Sequence, residues 1–256
     1  MFERYGTGLV NDLANIAVLT NDQVAAFDFE QISDERWLPL ATLIDRDFAD
    51  GKFTFLDVGG GNGAFADRVL SAYPDSLGVV LDNSDLLLRR NKPNSRKTLI
   101  HESVAELGTM GRHFDLVCAH WVLHHMVGSS YARTRANQAA VVESLAGTLT
   151  DRGRICVFEN NYAGLLGPDI PGYLIYQLTA SRVLAPITRR FGANTAGVGV
   201  CFQSRRQWEQ KFRSAGLQLT DYAEPDSWQW PIRWYWRVAV NLKDVRAAMY
   251  WLKSAA

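Results

Sequence analysis

Glycine fills four of the five positions 59–63, directly after the apolar run Phe53-Thr54-Phe55-Leu56-Asp57-Val58, and a helical pattern starts at Ala64. Glycine takes positive φ angles and lets the backbone approach a ligand closely, so a buried-strand pattern emptying into such a turn and then a helix constrains the chain strongly. It belongs in a parallel sheet with crossover helices. The same alternation continues to residue 159. The spacing predicts strands over 53–58, 77–81, 97–100, 114–119 and 154–158, with helices over 64–72, 84–90, 104–107 and 133–148. Five strands joined by crossovers make an open, doubly wound α/β sheet.

About fifty residues precede this unit. Within 34–47, Trp37, Leu40, Leu43 and Ile44 form an apolar stripe at helical spacing. Residues 1–50 are therefore expected as an N-terminal helical cap within a single domain covering 1–256. After the fifth strand, residues 160–202 carry three prolines and six glycines around an apolar helix over 173–184. They are expected as an insertion over the carboxyl ends of the strands, where ligands bind in such sheets. The remainder is predicted as a helix over 203–215, strands over 217–223 and 232–241, and a short terminal helix from Asp244.

With 256 residues and 47% hydrophobic content, the chain can bury one substantial core. Lys plus Arg and Asp plus Glu both total 27, so there is no basic footprint for nucleic acid, and nucleic acid is not expected as a partner. Cys118, Cys156 and Cys201 are odd in number and far apart, as expected of buried, reduced thiols in a cytoplasmic protein. The first residues lack the apolar stretch of a signal peptide, and no uncharged apolar run is long enough to span a bilayer. Stable membrane association is not expected.

Gly59, Gly61 and Ala64 also satisfy the relaxed dinucleotide pattern G-x-G-x-x-G/A, which keeps an NAD-dependent oxidoreductase open. Other residues point elsewhere. Asp57 stands two residues ahead of Gly59, Gly61 and Gly63, giving D-x-G-x-G-x-G. Asp82 closes the second strand and Glu102-Ser103 follows the third. The fourth strand, Phe114-Asp115-Leu116-Val117-Cys118-Ala119, leads into His120-Trp121-Val122-Leu123-His124-His125-Met126. In order and spacing this segment resembles class I S-adenosylmethionine-dependent methyltransferases of the small-molecule type. The resemblance covers residues 53–159 well, the C-terminal part loosely, and residues 1–50 and 160–202 not at all.

The resemblance implies a Rossmann-like, seven-stranded sheet whose last strand is antiparallel, and S-adenosyl-L-methionine as the cofactor. It implies that Asp57 contacts the cofactor's amino group, with Gly59, Gly61 and Gly63 shaping the turn. Asp82, with Asn83 beside it, would accept the ribose hydroxyls, Glu102 and Ser103 would stand near the adenine amine, and His120 is a further candidate for binding the cofactor. For Asp82 the alternative is a helix cap, and for Glu102 an acid that offsets a helix dipole.

Methyl transfer from a sulfonium disperses charge, so positioning and exclusion of water can supply most of the catalysis. An oxygen acceptor must still lose a proton, and a base contributes roughly 100- to 10,000-fold. His124, His120 and His125 are the candidates. The run from Asp115 to Met126 resembles the D-x-x-x-x-K-W-x-L-H-D-W segment of plant-type O-methyltransferases, whose catalytic histidine falls on His124. His120 stands for the lysine of that pattern, His125 for the aspartate, and the long dimerising N-terminal domain is missing. A histidine that merely opens a helix is the competing reading. Glu159, Asn160 and Asn161 end the fifth strand on the same rim and could orient the acceptor instead.

No Asn/Asp-Pro-Pro-Tyr/Phe follows the fourth strand, which argues against nucleobase or amide nitrogen as acceptor. No metal is expected. Trp228, Trp230, Trp234, Tyr235 and Trp236 crowd a C-terminal hairpin, and Tyr162, Tyr173, Tyr176 and Phe191 populate the insertion. They could line an apolar pocket, cage a cation, or sit in the core; an insertion touching lipid is a further option. The expectation is methylation of a small, apolar or aromatic metabolite in natural product biosynthesis, with oxygen favoured over nitrogen or carbon. A non-methylating cyclase or rearrangement catalyst on the same fold is the alternative, and a homodimer stays open.

Overall fold

The computed structural model describes residues 16–26 and 32–255. Part of the expected N-terminal cap, residues 1–15 and 27–31, lies outside the described residues. The strands are β1 (Thr54–Val58), β2 (Leu77–Asp82), β3 (Lys97–His101), β4 (Phe114–His120), β5 (Leu149–Gly164), β6 (Leu217–Ala223) and β7 (Leu242–Ser254). They form one sheet in the order β3-β2-β1-β4-β5-β7-β6. The first five are mutually parallel, and β7 is antiparallel to both of its neighbours. The fold is therefore the Rossmann-like, seven-stranded sheet expected from the sequence.

The described helices are α1 (Asn21–Ala25), α2 (Asp34–Asp47), α3 (Ala64–Ala72), α4 (Asp85–Leu88), α5 (Tyr131–Gly147), α6 (Ile170–Ala180), α7 (Ala185–Arg190), α8 (Arg205–Ser214) and α9 (Trp234–Ala239). Alternation along the strands splits the core into two layers. Leu56 and Val58 of β1 and Val117 and Ala119 of β4 share a cluster with Val141 and Leu145 of α5 and Trp208 and Phe212 of α8. Phe55, Leu116 and Cys118 share the other with Leu40 and Ile44 of α2 and Phe65 and Val69 of α3. Burying each of these large side chains contributes about 1.5–3 kcal/mol. All three cysteines are free and buried.

Helix α2 is tied to the sheet at its C-terminal end. Asp47 accepts from Arg154 Nε at 2.6 Å and Trp251 Nε1 at 2.9 Å. Burial alone would raise that carboxyl; hydrogen bonds from Arg46, Trp251 and Arg154 outweigh it and hold Asp47 well below the usual range.

Three expectations need correction. Strand β5 does not end at residue 158, because its pairing with β7 continues to Gly164 opposite Leu242; the helical insertion thus begins after Gly164 rather than at 160. Residues from Asp244 onward are not a helix but β7. Their Ala-Ala-Met core favours a helix locally, yet six consecutive residues, Ala247 to Leu252, are buried, which a one-faced surface helix cannot achieve. Residues 232–241, expected as a strand, contain the short helix α9. Trp234 and Trp236 therefore share no strand face: Trp234 is 75% exposed, while Trp236 packs beside Val240 and Leu242.

Candidate active site

The strand order reverses between β1 and β4, and a cavity of about 540 Å³ opens at their carboxyl ends. Strand β1 delivers Asp57 and the backbone of Gly59, Gly60 and Gly61 to its wall, and β2 delivers Asp82, Asn83 and Ser84. Strand β4 ends on His120, and beyond it come Trp121, Val122, His124 and His125. Ser103 also lines it, and its hydroxyl accepts from Ala105 N at the start of a short 3-10 turn. Glu102 is exposed and stands outside the cavity wall. Gly63 is outside it as well: with φ of 71° it caps α3, and a Cβ there would collide with Asn91.

The turn leaves no room for side chains. Gly59 has φ of 69°, and a Cβ on it would lie 2.7 Å from Val122 Cγ2. A Cβ on Gly60 would lie 2.4 Å from Asp57 Oδ2. Asp57 is buried, and that same oxygen has no hydrogen-bond partner. Burial, then the nearby charge of Asp82, pushes its carboxyl up to about 7, with Lys97 pulling the other way. Asp82 is oriented by backbone amides, Oδ2 accepting from Gly61 at 2.9 Å and Oδ1 from Ser84 at 2.7 Å. Burial raises it too, against those two bonds.

The three histidines differ. His120 stands edge-on to Phe65 and Phe158, at ring centroid separations of 4.5 and 5.2 Å. Burial lowers it to about 3, so it is a neutral ring and a weak proton acceptor. His125 is held well below the ordinary histidine value by burial and by His124, whose ring is 4.2 Å away. His124 is built into the fold: its Nδ1 is 2.7 Å from Glu159 Oε2 at the end of β5, and Glu159 is 0% exposed. The other carboxylate oxygen accepts the backbone amides of Leu123 at 2.9 Å and His124 at 3.2 Å. That contact engages Nδ1, so Nε2 is the ring nitrogen it leaves for another partner.

Ile16 to Leu19, Arg36 and Phe202 line the cavity with no signal of it in the sequence, whereas Asn160 and Trp230 stand out there as candidates. Ile16 to Leu19 form part of the wall, where Ala17 N donates to Val127 O at 2.8 Å. The insertion returns to the site at Cys201, whose amide donates to His124 O at 3.0 Å, and places Phe202 against the His124 ring at 4.7 Å. Asn160 Oδ1 accepts from both Trp121 Nε1 and Trp230 Nε1, each at 3.1 Å. The Arg36 guanidinium lies over Trp121 at 5.1 Å. Trp121 has φ of 52°, a strained conformation for a bulky residue, of the kind that clusters at functional sites. Asn161, expected on the same rim, instead bonds Tyr222, Glu224 and Tyr250 away from the cavity wall. Among the described residues, no group of three His, Cys, Asp or Glu side chains gathers to hold a metal.

A family model described as a methyltransferase domain matches residues 56–157. No curated protein matches the chain by sequence. Similar solved structures include the [4+2]-cyclase SpnF, with a TM-score of 0.58 at 15% identity over 97% of this chain and 92% of that one. CalO1, a methyltransferase of calicheamicin biosynthesis solved with S-adenosylhomocysteine, gives 0.50 at 15% identity over 86% and 56%. The mitomycin 7-O-methyltransferase MmcR gives 0.51 at 13% identity over 96% and 54%. The chain spans about half the length of CalO1 and MmcR and nearly all of SpnF. At these identities the likeness is one of fold.

Proposed function

Because residues 56–157 match a methyltransferase domain on a methyltransferase-like sheet, we propose that this chain is a class I S-adenosylmethionine-dependent methyltransferase and that it methylates a small, largely apolar or aromatic metabolite at oxygen, with His124 as general base. The cavity fits S-adenosyl-L-methionine on two observations. Asp57 Oδ2 is buried without a partner beside the cavity, which suits an ammonium donor. The Gly59–Gly61 backbone forms a wall where a Cβ on Gly59 or Gly60 would collide. Asp57, Gly59, Gly61, Asp82, Asn83 and Ser103 would hold the cofactor, which when bound supplies an electrophilic methyl group.

The observation that carries the acceptor chemistry is the buried His124–Glu159 pair. Glu159 fixes both the tautomer and the tilt of the ring, so Nε2 is the nitrogen left to take the proton of an acceptor hydroxyl. Phe202 against one side of that ring, with Trp121 and Trp230 clasped by Asn160, makes this end of the cavity aromatic. Such a wall suits a planar or apolar acceptor and excludes water. Helices α6 and α7 and the segment returning at Cys201 act in this reading as a substrate lid within a single domain.

A second reading has one observation in its favour: over nearly its whole length the chain shares its fold with a [4+2]-cyclase. The His124–Glu159 pair would then orient a substrate instead of deprotonating it. Calorimetric titration with S-adenosylhomocysteine tests the first level; the expected result is micromolar or tighter binding that an Asp57→Ala/Asp82→Ala variant loses. Binding of NADH in its place would overturn the cofactor assignment. Product mass tests the second level: a gain of one methyl group supports the transfer, and conversion without mass change supports the cyclase reading.

A further inference from the structure

We infer that the outer face of the insertion, together with α9, is a peripheral docking surface for an anionic phospholipid membrane. The observation is where exposed apolar side chains collect. Of the 14 large hydrophobic residues that stand exposed among the described residues, ten fall within 165–200 and 229–240. Leu166, Val183, Trp234 and Val238 are each more than 70% exposed. Scattered surface leucines need no explanation, but a concentration of this kind marks a place where water is meant to be displaced.

The two segments form one surface. Phe191, at the end of α7, meets Trp236 of α9 edge-on at 6.0 Å. The amides of Leu165 and Leu166 bond the backbone and side chain of Asn241, at 3.0 and 3.1 Å. Beneath, Leu174 and Leu178 of α6 and Trp236 of α9 pack on Val240, Leu242 and Val245. The exposed residues are thus the outer side of a layer whose inner side is already satisfied.

Charge identifies the occupant. The chain as a whole is balanced, 27 positive against 27 negative, yet these two segments contain Arg182, Arg189, Arg190, Arg233 and Arg237 against Asp169 alone. All five arginines are exposed. Aromatic and aliphatic tips framed by arginines match a headgroup region carrying negative charge, where indoles settle at the interface and each cation adds attraction. A second copy of the chain is a poorer partner, because a two-fold contact through this face would oppose arginines to arginines. The association is peripheral and reversible: among the described residues no helix is long and apolar enough to cross a bilayer. Trp230, 46% exposed, also lines the catalytic cavity, so the surface reaches its rim.

The test is cosedimentation of the full chain with vesicles of phosphatidylcholine alone and of phosphatidylcholine mixed with phosphatidylglycerol in equal parts. Partitioning at least tenfold stronger onto the anionic vesicles, and weakened by added salt, is expected. Arg189→Glu/Arg190→Glu/Arg237→Glu and, separately, Phe191→Ser/Trp234→Ser should each lower it tenfold or more. Leu77→Ser, an exposed apolar site at the far side of the sheet, should not. Circular dichroism and S-adenosylhomocysteine affinity show whether each variant is folded. Equal or absent binding to the two vesicle types overturns the proposal. So does a concentration-dependent dimer, seen by light scattering, that the charge reversals dissolve.

Discussion

Glu159 holds His124 from both ends of the same carboxylate, one oxygen 2.7 Å from Nδ1 and the other on the backbone amides of Leu123 and His124. The ring can neither flip nor change tautomer without breaking a buried bond. A Glu159→Gln variant keeps the shape but can present its amide N–H to Nδ1, which favours the proton on Nε2 and removes the lone pair where it is needed. The expected loss in kcat is about 100- to 10,000-fold, with S-adenosylhomocysteine affinity unchanged by calorimetry. An intact kcat for methyl transfer would mean that His124 takes no proton in the reaction.

Asp57 gives a pH dependence with a definite sign. Its carboxyl is pushed up to about 7 by burial and by the charge of Asp82, against Lys97. Below that pH it is protonated, and above it ionised. An ammonium ligand favours the ionised form, so affinity for S-adenosylhomocysteine should be full above neutrality. It should fall as pH drops through about 7, by up to about tenfold per pH unit. Titrations near pH 6 and pH 8 in buffers of different ionisation enthalpy would also show proton release at the lower pH. The ligand-free protein follows the opposite sense. Since folding raises this pKa above its unfolded value, the stability the group contributes when protonated is lost as pH rises from about 4 to about 7. Asp57→Asn should therefore raise the melting temperature of the ligand-free protein at pH 8 while abolishing binding.

The sheet and the cofactor turn were legible because their signal is local. Strand β1, its glycines and α3 lie within twenty residues of one another, and each residue type is dictated by the backbone it must adopt. The partner of His124 was not legible as a partner. Glu159 lies 35 residues away, and although the rim of β5 was visible in the sequence, only the register of β5 beside β4 brings that carboxylate to Nδ1. Asp244 onward misled for a related reason: Arg246-Ala247-Ala248-Met249 has helical propensity, and a slot between two strands overrides it. The cavity wall at Ile16 to Leu19, with its bond from Ala17 to Val127, and the clasp of two indoles by Asn160 rest on long-range bonds that no periodicity announces.

Gly60 is a steric test of the turn that does not involve backbone strain. A Cβ there would lie 2.4 Å from Asp57 Oδ2 and 2.9 Å from Val80 Cγ1. The Val80 contact lies in a packed core that cannot give way freely, so Asp57 must move. Gly60→Ala should weaken S-adenosylhomocysteine binding at least about tenfold and cost stability on the order of 1–3 kcal/mol. Calorimetry and chemical denaturation would measure the two effects separately. Unchanged affinity would show that Asp57 does not set cofactor binding.

Asn160 offers a test of the acceptor end of the cavity in the proposed reading. Its Oδ1 accepts from the indoles of Trp121 and Trp230, both at 3.1 Å. Asn160→Ala leaves two indole N–H groups without their acceptor and frees two large walls to move. Each lost bond is worth about 1 kcal/mol. The acceptor's KM should therefore rise about tenfold or more and the melting temperature fall by a few degrees, while S-adenosylhomocysteine affinity changes little. Steady-state kinetics with a turned-over phenolic acceptor, alongside calorimetry, would check it. If KM stays put and cofactor affinity falls instead, the aromatic wall belongs to the cofactor and the acceptor enters elsewhere.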